Sequence, residues 1–141
     1  YYSKIRNKII DLITDDNFEY MLNYLDLERL SYQSCNENIK QSFTDSKTLG
    51  AIKTPVVKNN DFYELDKNHR FFYDDIYYGL VIAKWIAQKL NIQVNTIDEI
   101  LTWAEMMLND SILINNELNL SNLKLGSPNR YRLEKLEEII Q

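Results

Sequence analysis

The segment DIYYGLVIAKWIAQKL, residues 75–90, decides the fold class, because its apolar residues recur at spacings of three and four. Such a period places one apolar stripe along one face of a helix, here Ile76, Leu80, Ala83, Ala87 and Leu90. Asn91 follows directly, and asparagine tolerates the left-handed conformation that ends many helices. The segment therefore predicts a helix that buries one face and ends near Leu90.

The segments on either side of this helix also predict helices. Downstream, Thr96 and Glu99 have the spacing of a capping box, which predicts a helix that begins there. Upstream, apolar spacing predicts a helix over residues 4–13 and a second helix that begins after Asp15, Asp16 and Asn17 and reaches the high thirties. Residues 41–70 lack a sustained period and predict a long loop, which is more often functional than idle. Near the end, residues 126–128 predict a turn, and residues 132–140 a closing helix.

The composition favours an all-α fold, a helical bundle-like single domain over residues 1–141. The 141 residues include only three glycines and two prolines, whereas a turn-rich β sandwich would need many more. The same scarcity excludes glycine-rich nucleotide loops. One cysteine and one histidine offer little for a metal site, so we expect no metal.

The charge and the apolar runs exclude two further classes of partner. A formal net charge of −5 without a basic cluster argues against nucleic acid binding. No apolar stretch approaches the roughly 20 residues that span a bilayer, so we expect no membrane association and a cytoplasmic protein.

The densest polar cluster is HRFFYDD, residues 69–75. Arg70 is either a solvated surface arginine or a planar donor for a ligand carboxylate. Asp74 and Asp75 either cap a helix that starts there, or orient an imidazole or an amine. The single histidine, His69, is more typical of a surface or packing residue than of a general base. By the same reasoning, Glu28 and Arg29 predict a solvated helix face, and Trp85 and Trp103 predict core or interface anchors.

The sequence resembles the helical C-terminal domain of the octopine/nopaline (opine) dehydrogenase family. RFFYDDIYYGL, residues 70–80, is similar to the family motif Arg-Tyr-x-x-Glu-Asp-Val/Ile-Pro-x-Gly-Leu. LNIQVNTIDEIL (90–101), LDLERLSY (25–32) and KTPVV (53–57) resemble other family segments in the same order, and residues 126–140 give a weaker match. The resemblance covers about residues 20–108 and implies a helical domain of the 6-phosphogluconate dehydrogenase C-terminal class.

The resemblance implies a parent enzyme that condenses an α-keto acid with an amino acid and reduces the imine with NADH or NADPH. Arg70 matches the arginine that grips a substrate carboxylate, and Asp75 matches the aspartate that orients a catalytic histidine. That histidine and the Rossmann domain with the NAD or NADP site are expected upstream of Tyr1, so this fragment alone is expected to be inactive and to bind no cofactor. Whether the protein forms a homodimer stays open.

Departures from the family motif leave alternatives. Tyr77 replaces the usual proline, Asp74 the usual glutamate, and Asn91 and Asn95 the usual glycine and proline. The first alternative function is a non-catalytic helical interaction module that kept the fold and lost the chemistry. The second is a related enzyme that acts in surface-polysaccharide biosynthesis.

Overall fold

The computed structural model describes residues 2–12, 22–33, 36–45, 50–123 and 126–136, together with Glu138. The structure is mostly helical, which confirms the predicted fold class. Five α-helices are described, α1 (Tyr2–Leu12), α2 (Tyr24–Tyr32), α3 (Ile39–Asp45), α4 (Ile82–Lys89) and α5 (Asn95–Leu108), together with a π-helix (Phe71–Val81) and a short 3-10 helix (Pro128–Tyr131). Two short strand pairs join them, β1 (Val56–Asn59) with β2 (Phe62–Leu65), and β3 (Leu113–Ile114) with β4 (Glu117–Leu118).

The chain divides into two compact units, Tyr1–Val56 and Val57–Gln141. The prediction of a single domain over residues 1–141 stays a prediction. Within the described ranges, no helix is both long enough and apolar enough to cross a membrane.

In the first unit, the second predicted helix is shorter than expected. The side chain of Asn23 accepts a hydrogen bond from the Asp26 amide at the start of α2. The helix ends after Tyr32 because Gln33 adopts a left-handed conformation with φ of 53°, so the predicted end in the high thirties is wrong. Several residues of the first two predicted helices lie outside the described residues: Ile13, Asp15, Asp16, Asn17, Phe18, Met21 and Cys35.

Glu28 is buried against α3 and does not lie on a solvated face, so that prediction is wrong for this residue. Its Oε1 accepts a hydrogen bond from the Ser42 hydroxyl at 2.7 Å and one from the Asn36 amide at 3.4 Å. Arg29 is exposed and pairs with Asp26 at 2.7 Å. The hydroxyl of Ser42 thus offsets part of the cost of burying a carboxylate between α2 and α3.

The predicted loop over residues 41–70 contains regular structure. Residues 41–45 complete α3, and β1 and β2 form a hydrogen-bonded pair around Asn60, whose φ is 54°. Both strands are almost entirely exposed, so they lack the alternation of apolar and polar residues by which a half-buried strand is recognised. The prediction of a structureless loop is therefore wrong.

The core of the second unit is built on the π-helix, α4 and α5. In a π-helix each N–H bonds the carbonyl five residues earlier, so residues five apart lie on about the same face. The buried residues of the π-helix follow this repeat: Phe72, Ile76, Tyr77 and Val81. Trp85 on α4 and Leu101 on α5 are almost completely buried, which confirms the prediction that Trp85 is a core anchor.

α4 ends in a Schellman motif at the predicted place. The Asn91 amide bonds the Gln88 carbonyl, the Ile92 amide bonds the Ala87 carbonyl at 2.8 Å, and Asn91 has φ of 53°. The capping box is wrong, because α5 begins at Asn95 and its N-cap, Val94, has no side-chain capping bond.

The segment after α5 is held by side-chain contacts to the backbone. Glu105 Oε1 accepts hydrogen bonds from the amides of Ile112 and Leu113, both at 2.7 Å. β3 and β4 pair antiparallel across Asn115 and Asn116, which both have positive φ and so fit a tight hairpin turn.

Close packing fixes the predicted turn at Gly126. Its φ is 77°, and a Cβ added there would lie 1.9 Å from the Tyr77 carbonyl oxygen. A side chain at position 126 therefore cannot fit against the π-helix. Arg132 has a left-handed φ of 63° and ends the 3-10 helix, so the predicted closing helix over residues 132–140 is wrong for residues 132–136. Residues 137, 139 and 140 lie outside the described residues.

Candidate functional site

A tight turn leads into the π-helix and positions its first residues. Asp66 accepts hydrogen bonds from the amides of Asn68 and His69, and the His69 carbonyl accepts one from Phe72. His69 Nδ1 accepts a hydrogen bond from the Phe71 amide at 3.3 Å, and the two rings meet edge to face at 4.4 Å. His69 is therefore a half-buried packing residue, as the sequence predicted.

Arg70 is the N-cap residue of the π-helix and is largely exposed. Its guanidinium lies 3.5 Å from the Asp74 carboxylate and 5.3 Å from the centre of the Phe71 ring. An exposed pair at this distance is weak, and a guanidinium carries five N–H donors in a planar fork. Arg70 can therefore bind a second carboxylate while it stays near Asp74.

Asp74 and Asp75 do not cap a helix, which corrects one of the two predicted interpretations. The helix begins at Phe71, three residues before Asp74, and both aspartates lie inside it. Asp75 is exposed, and its side chain makes no hydrogen bond or ion pair with any other residue that the structure describes. Its carboxylate is therefore open to a ligand or to a side chain from outside the described residues.

The π-helical repeat gives Arg70 and Asp75 a common face. They are five residues apart, the spacing of the π-helical hydrogen bond, so they lie on about the same face of the helix. Gly79 lies one turn further along and is exposed, so no side chain covers the helix there. We call Arg70, Asp74, Asp75 and Gly79 the polar face.

Aromatic residues flank and support the polar face. Tyr78 is about half exposed, and its hydrogen bond with the Tyr131 hydroxyl raises the pKa of Tyr78. Tyr77 is buried below it and donates a hydrogen bond to Asp110 Oδ2 at 2.5 Å. Burial first, and then this bond, raise the pKa of Tyr77. The buried side of the π-helix is therefore hydrogen-bonded through Tyr77 to Asp110, just after α5. The polar face stays open to solvent.

Trp103 meets the prediction of an anchor only in part. Its ring stacks on the buried Phe72 ring with centroids 6.0 Å apart, but 40% of the residue remains exposed.

The described residues do not fit a dinucleotide cofactor or a metal ion. A dinucleotide site needs a glycine-rich loop between a parallel strand and a helix, whereas the strands described here form only two-stranded pairs. Gly79 lies within the π-helix, and Gly126 packs on the Tyr77 backbone. No group of three or more His, Cys, Asp or Glu side chains in the described ranges is placed to hold a metal ion.

Sequence reasoning missed a buried ion pair. Lys84 and Asp98 lie 2.6 Å apart, with only 7% and 16% of their side chains exposed. Lys84 lies between the positions of the predicted apolar stripe, and Asp98 lies inside the predicted capping box. The sequence does contain one indication of this pair. Lys84 lies within an apolar run from Leu80 to Ala87, and a lysine that is buried in such a run needs an ion-pair partner.

Residues 3–108 match the family described as NAD/NADP octopine/nopaline dehydrogenase, alpha-helical domain. This match covers most of the chain, so the chain belongs to that family, as the motifs around Arg70 and Asp75 indicated. A search of curated proteins found no match.

Solved structures of octopine dehydrogenase share the fold. One, in complex with NADH and agmatine, has a TM-score of 0.74 at 17% identity over 97% of this chain. Structures with NADH and L-arginine and with NADH and pyruvate have TM-scores of 0.73 and 0.71, at 17% and 18% identity over 97% and 98% of this chain. The chain spans about a third of the length of these proteins, 34% to 35%.

Proposed function

We propose that this chain is the substrate-binding domain of an opine dehydrogenase-like oxidoreductase, which joins an α-keto acid to an amino acid by NAD(P)H-dependent reduction of an imine. The parent would carry an upstream Rossmann domain, since the described residues do not fit the nucleotide. The main observation that supports this proposal is the polar face, where the exposed Arg70 and the unpaired carboxylate of Asp75 lie on one side of the π-helix. Membership of the family and the shared fold support the same proposal.

Arg70 would bind the carboxylate of a keto acid. A planar guanidinium donates two parallel N–H bonds to a carboxylate, which fixes both its position and its orientation. The contact with Asp74 is long and exposed, so little is lost when the guanidinium turns toward a substrate.

Asp75 would orient an imidazole from the parent protein. A carboxylate that accepts a hydrogen bond from one ring nitrogen fixes the tautomer and raises the basicity of the other nitrogen. His69 does not supply this imidazole, because its Nδ1 already accepts the bond from the Phe71 amide.

The openness of the polar face also favours a two-domain enzyme. Imine reduction needs a site from which water is excluded, and a face on one exposed helix cannot exclude water by itself. The polar face is therefore proposed as one wall of a site, with the upstream domain as the other wall.

The test is steady-state kinetics of the parent protein with NADH or NADPH, pyruvate and a panel of amino acids. Arg70→Ala is expected to raise the KM for the keto acid by about 10-fold to 100-fold, the size of a lost charge-assisted hydrogen bond. Lys67→Ala, which removes a positive charge from the same exposed turn, is the matched control and is expected to leave KM unchanged. An Arg70→Ala enzyme with normal KM and kcat would refute the role of Arg70.

Asp75→Asn tests the orienting role separately. It is expected to lower kcat by at least about 10-fold and to shift the pH profile of kcat to lower pH, since the imidazole loses a carboxylate partner. Asp61→Asn, at an exposed hairpin turn, is the control. A pH profile that does not move would show that Asp75 does not contact the base.

The alternative, a non-catalytic interaction module, is favoured by one observation. Phe62 and Tyr63 on β2 are 74% and 71% exposed, which is unusual for large aromatic side chains and typical of contact surfaces. If the parent protein reduces no imine, and Phe62→Lys abolishes self-association in light scattering, the interaction module replaces the enzyme proposal.

A further inference from the structure

A polar cleft of about 520 Å³ opens in the second unit, within the size range of small-molecule sites. It lies between the end of α4, the start of α5 and the β3–β4 hairpin. Neither Arg70 nor Asp75 lines it. The proposed function makes no use of this cleft.

The Lys84–Asp98 pair lies at the inner wall of the cleft. The ammonium nitrogen and Asp98 Oδ1 are 2.6 Å apart, the separation of a charge-assisted hydrogen bond. The Lys84 ammonium carries three N–H donors, and Asp98 is its one side-chain partner among the described residues. A buried ammonium with unused N–H donors at the wall of a cleft favours a ligand atom that accepts hydrogen bonds.

The rest of the wall is dominated by carboxamides. A carboxamide both donates and accepts hydrogen bonds, and so does a hydroxyl group, whereas a phosphate mainly accepts and an ammonium only donates. Six carboxamide residues line the cleft: Gln88, Asn91, Gln93, Asn95, Asn115 and Asn116.

The formal charges that line the cleft cancel. Lys84 and Lys89 are balanced by Asp98 and Glu117. An anion would approach two carboxylates, and a cation would approach two ammonium groups. This balance disfavours both kinds of ion and favours a neutral ligand.

We infer that this cleft binds a neutral polyhydroxylated small molecule of the sugar class. Ligand hydroxyls accept hydrogen bonds from Lys84 and exchange hydrogen bonds with the carboxamides of Gln93 and Asn95. The Asn95 amide in the first turn of α5 adds one backbone donor, since Val94 provides no side-chain cap at the helix start.

The experiment is an NMR titration of the 141-residue chain, read on the side-chain carboxamide resonances. The probes are D-glucose, D-galactose and N-acetyl-D-glucosamine, with inorganic phosphate and putrescine as the charged comparators. At least one sugar is expected to shift carboxamide signals of the cleft saturably, with a Kd of about 1 mM to 10 mM, as expected for a few hydrogen bonds to a small neutral ligand.

Two variants test the location of binding. The double variant Gln93→Ala/Asn95→Ala removes two exposed carboxamides at positions of ordinary backbone conformation, and is expected to weaken sugar binding by at least about 5-fold. Asn68→Ala removes an exposed carboxamide that does not line the cleft and is expected to leave the Kd unchanged.

Three results would overturn the inference. The first is saturable binding of phosphate or putrescine without binding of any sugar. The second is the absence of saturable binding of all three sugars. The third is sugar binding that the double variant and Asn68→Ala affect equally.

Discussion

Removal of one partner of the Lys84–Asp98 pair is expected to destabilise the second unit far more than removal of both. The charged atoms are 2.6 Å apart and the side chains are 7% and 16% exposed. At an effective dielectric constant of about 20, their attraction is about 6 kcal/mol, and burial of each ion costs several kcal/mol. The net contribution of the intact pair is therefore small, but a single remaining charge is left buried and uncompensated.

The expected values follow from this balance. Lys84→Met is expected to cost about 3–5 kcal/mol, because Asp98 is left without its counterion. The double variant Lys84→Met/Asp98→Leu is expected to lie within about 2 kcal/mol of the wild type, since two apolar side chains replace the pair.

Urea unfolding followed by tryptophan fluorescence is the assay. Trp85 and Trp103 both belong to the second unit, so the signal reports on the unit that holds the pair. Arg70→Met breaks the exposed pair with Asp74 and is the matched control, with an expected cost below about 1 kcal/mol. The reasoning is refuted if Lys84→Met costs no more than this control, or if the double variant costs the sum of its single variants.

Three further predictions concern Tyr77, Gly126 and Glu138. Tyr77→Phe is expected to cost about 1.5–3 kcal/mol in urea unfolding through the lost bond to Asp110. The pKa of Tyr77 in the folded protein is raised above its ordinary value of 10.0, so the contribution of Tyr77 to the free energy of unfolding is full below pH 10 and falls as the pH rises further. If the wild type and the Tyr77→Phe variant lose stability in parallel above pH 10, this prediction is wrong. Gly126→Ala is expected to cost about 2–4 kcal/mol, because position 126 has a positive φ and the added Cβ meets the Tyr77 carbonyl. The control Gly79→Ala, whose Cβ would make only an ordinary contact at 3.6 Å, is expected to stay within about 1 kcal/mol of the wild type. Equal melting temperatures for the two variants would exclude this packing. Backbone hydrogen bonds from residues 135 and 134 lower the pKa of Glu138, so its stabilising contribution is present above the ordinary value of 4.5 and is lost as the pH falls; a carboxyl-carbon NMR titration midpoint at or above 4.5 would rule these bonds out.

The backbone conformation could be predicted from the sequence where a single residue type determines it. Asn91 ends α4 in a left-handed conformation because asparagine tolerates that region, as predicted. Asn115 and Asn116 have the same property, yet their hairpin was not predicted because each strand has only two residues. So short a strand pair gives no alternation that sequence analysis can recognise.

The register of the main helix could not be predicted from an α-helical period. Three residues of the predicted stripe, Ile76, Ala87 and Leu90, are buried, but Leu80 and Ala83 are only half-buried, and the buried Val81 and Trp85 lie off the stripe. The difference arises because residues 71–81 follow the repeat of a π-helix, which an analysis at 3.6 residues per turn does not test.

The two proposed site residues came from the resemblance and not from periodicity. Nothing in the spacing distinguishes Arg70 from a solvated arginine, and the structure shows it exposed. The capping hypothesis for Asp74 and Asp75 was wrong because the helix starts three residues earlier than the polar residues suggested. The Lys84–Asp98 pair joins α4 and α5, whose relative placement a single sequence does not give.

The π-helix also bears on how this chain can tolerate a change in length. Each of its hydrogen-bonded rings encloses one residue more than the rings of an α-helix. Deletion of one residue from an α-helix rotates everything beyond it out of register, but deletion of one residue from residues 71–81 can be absorbed by a return to ordinary α-helical bonds. A deletion between Arg70 and Asp75 would leave the two side chains four residues apart, a spacing that an α-helix places on one face. A deletion after Asp75 would leave them five residues apart in an α-helix and turn them away from each other.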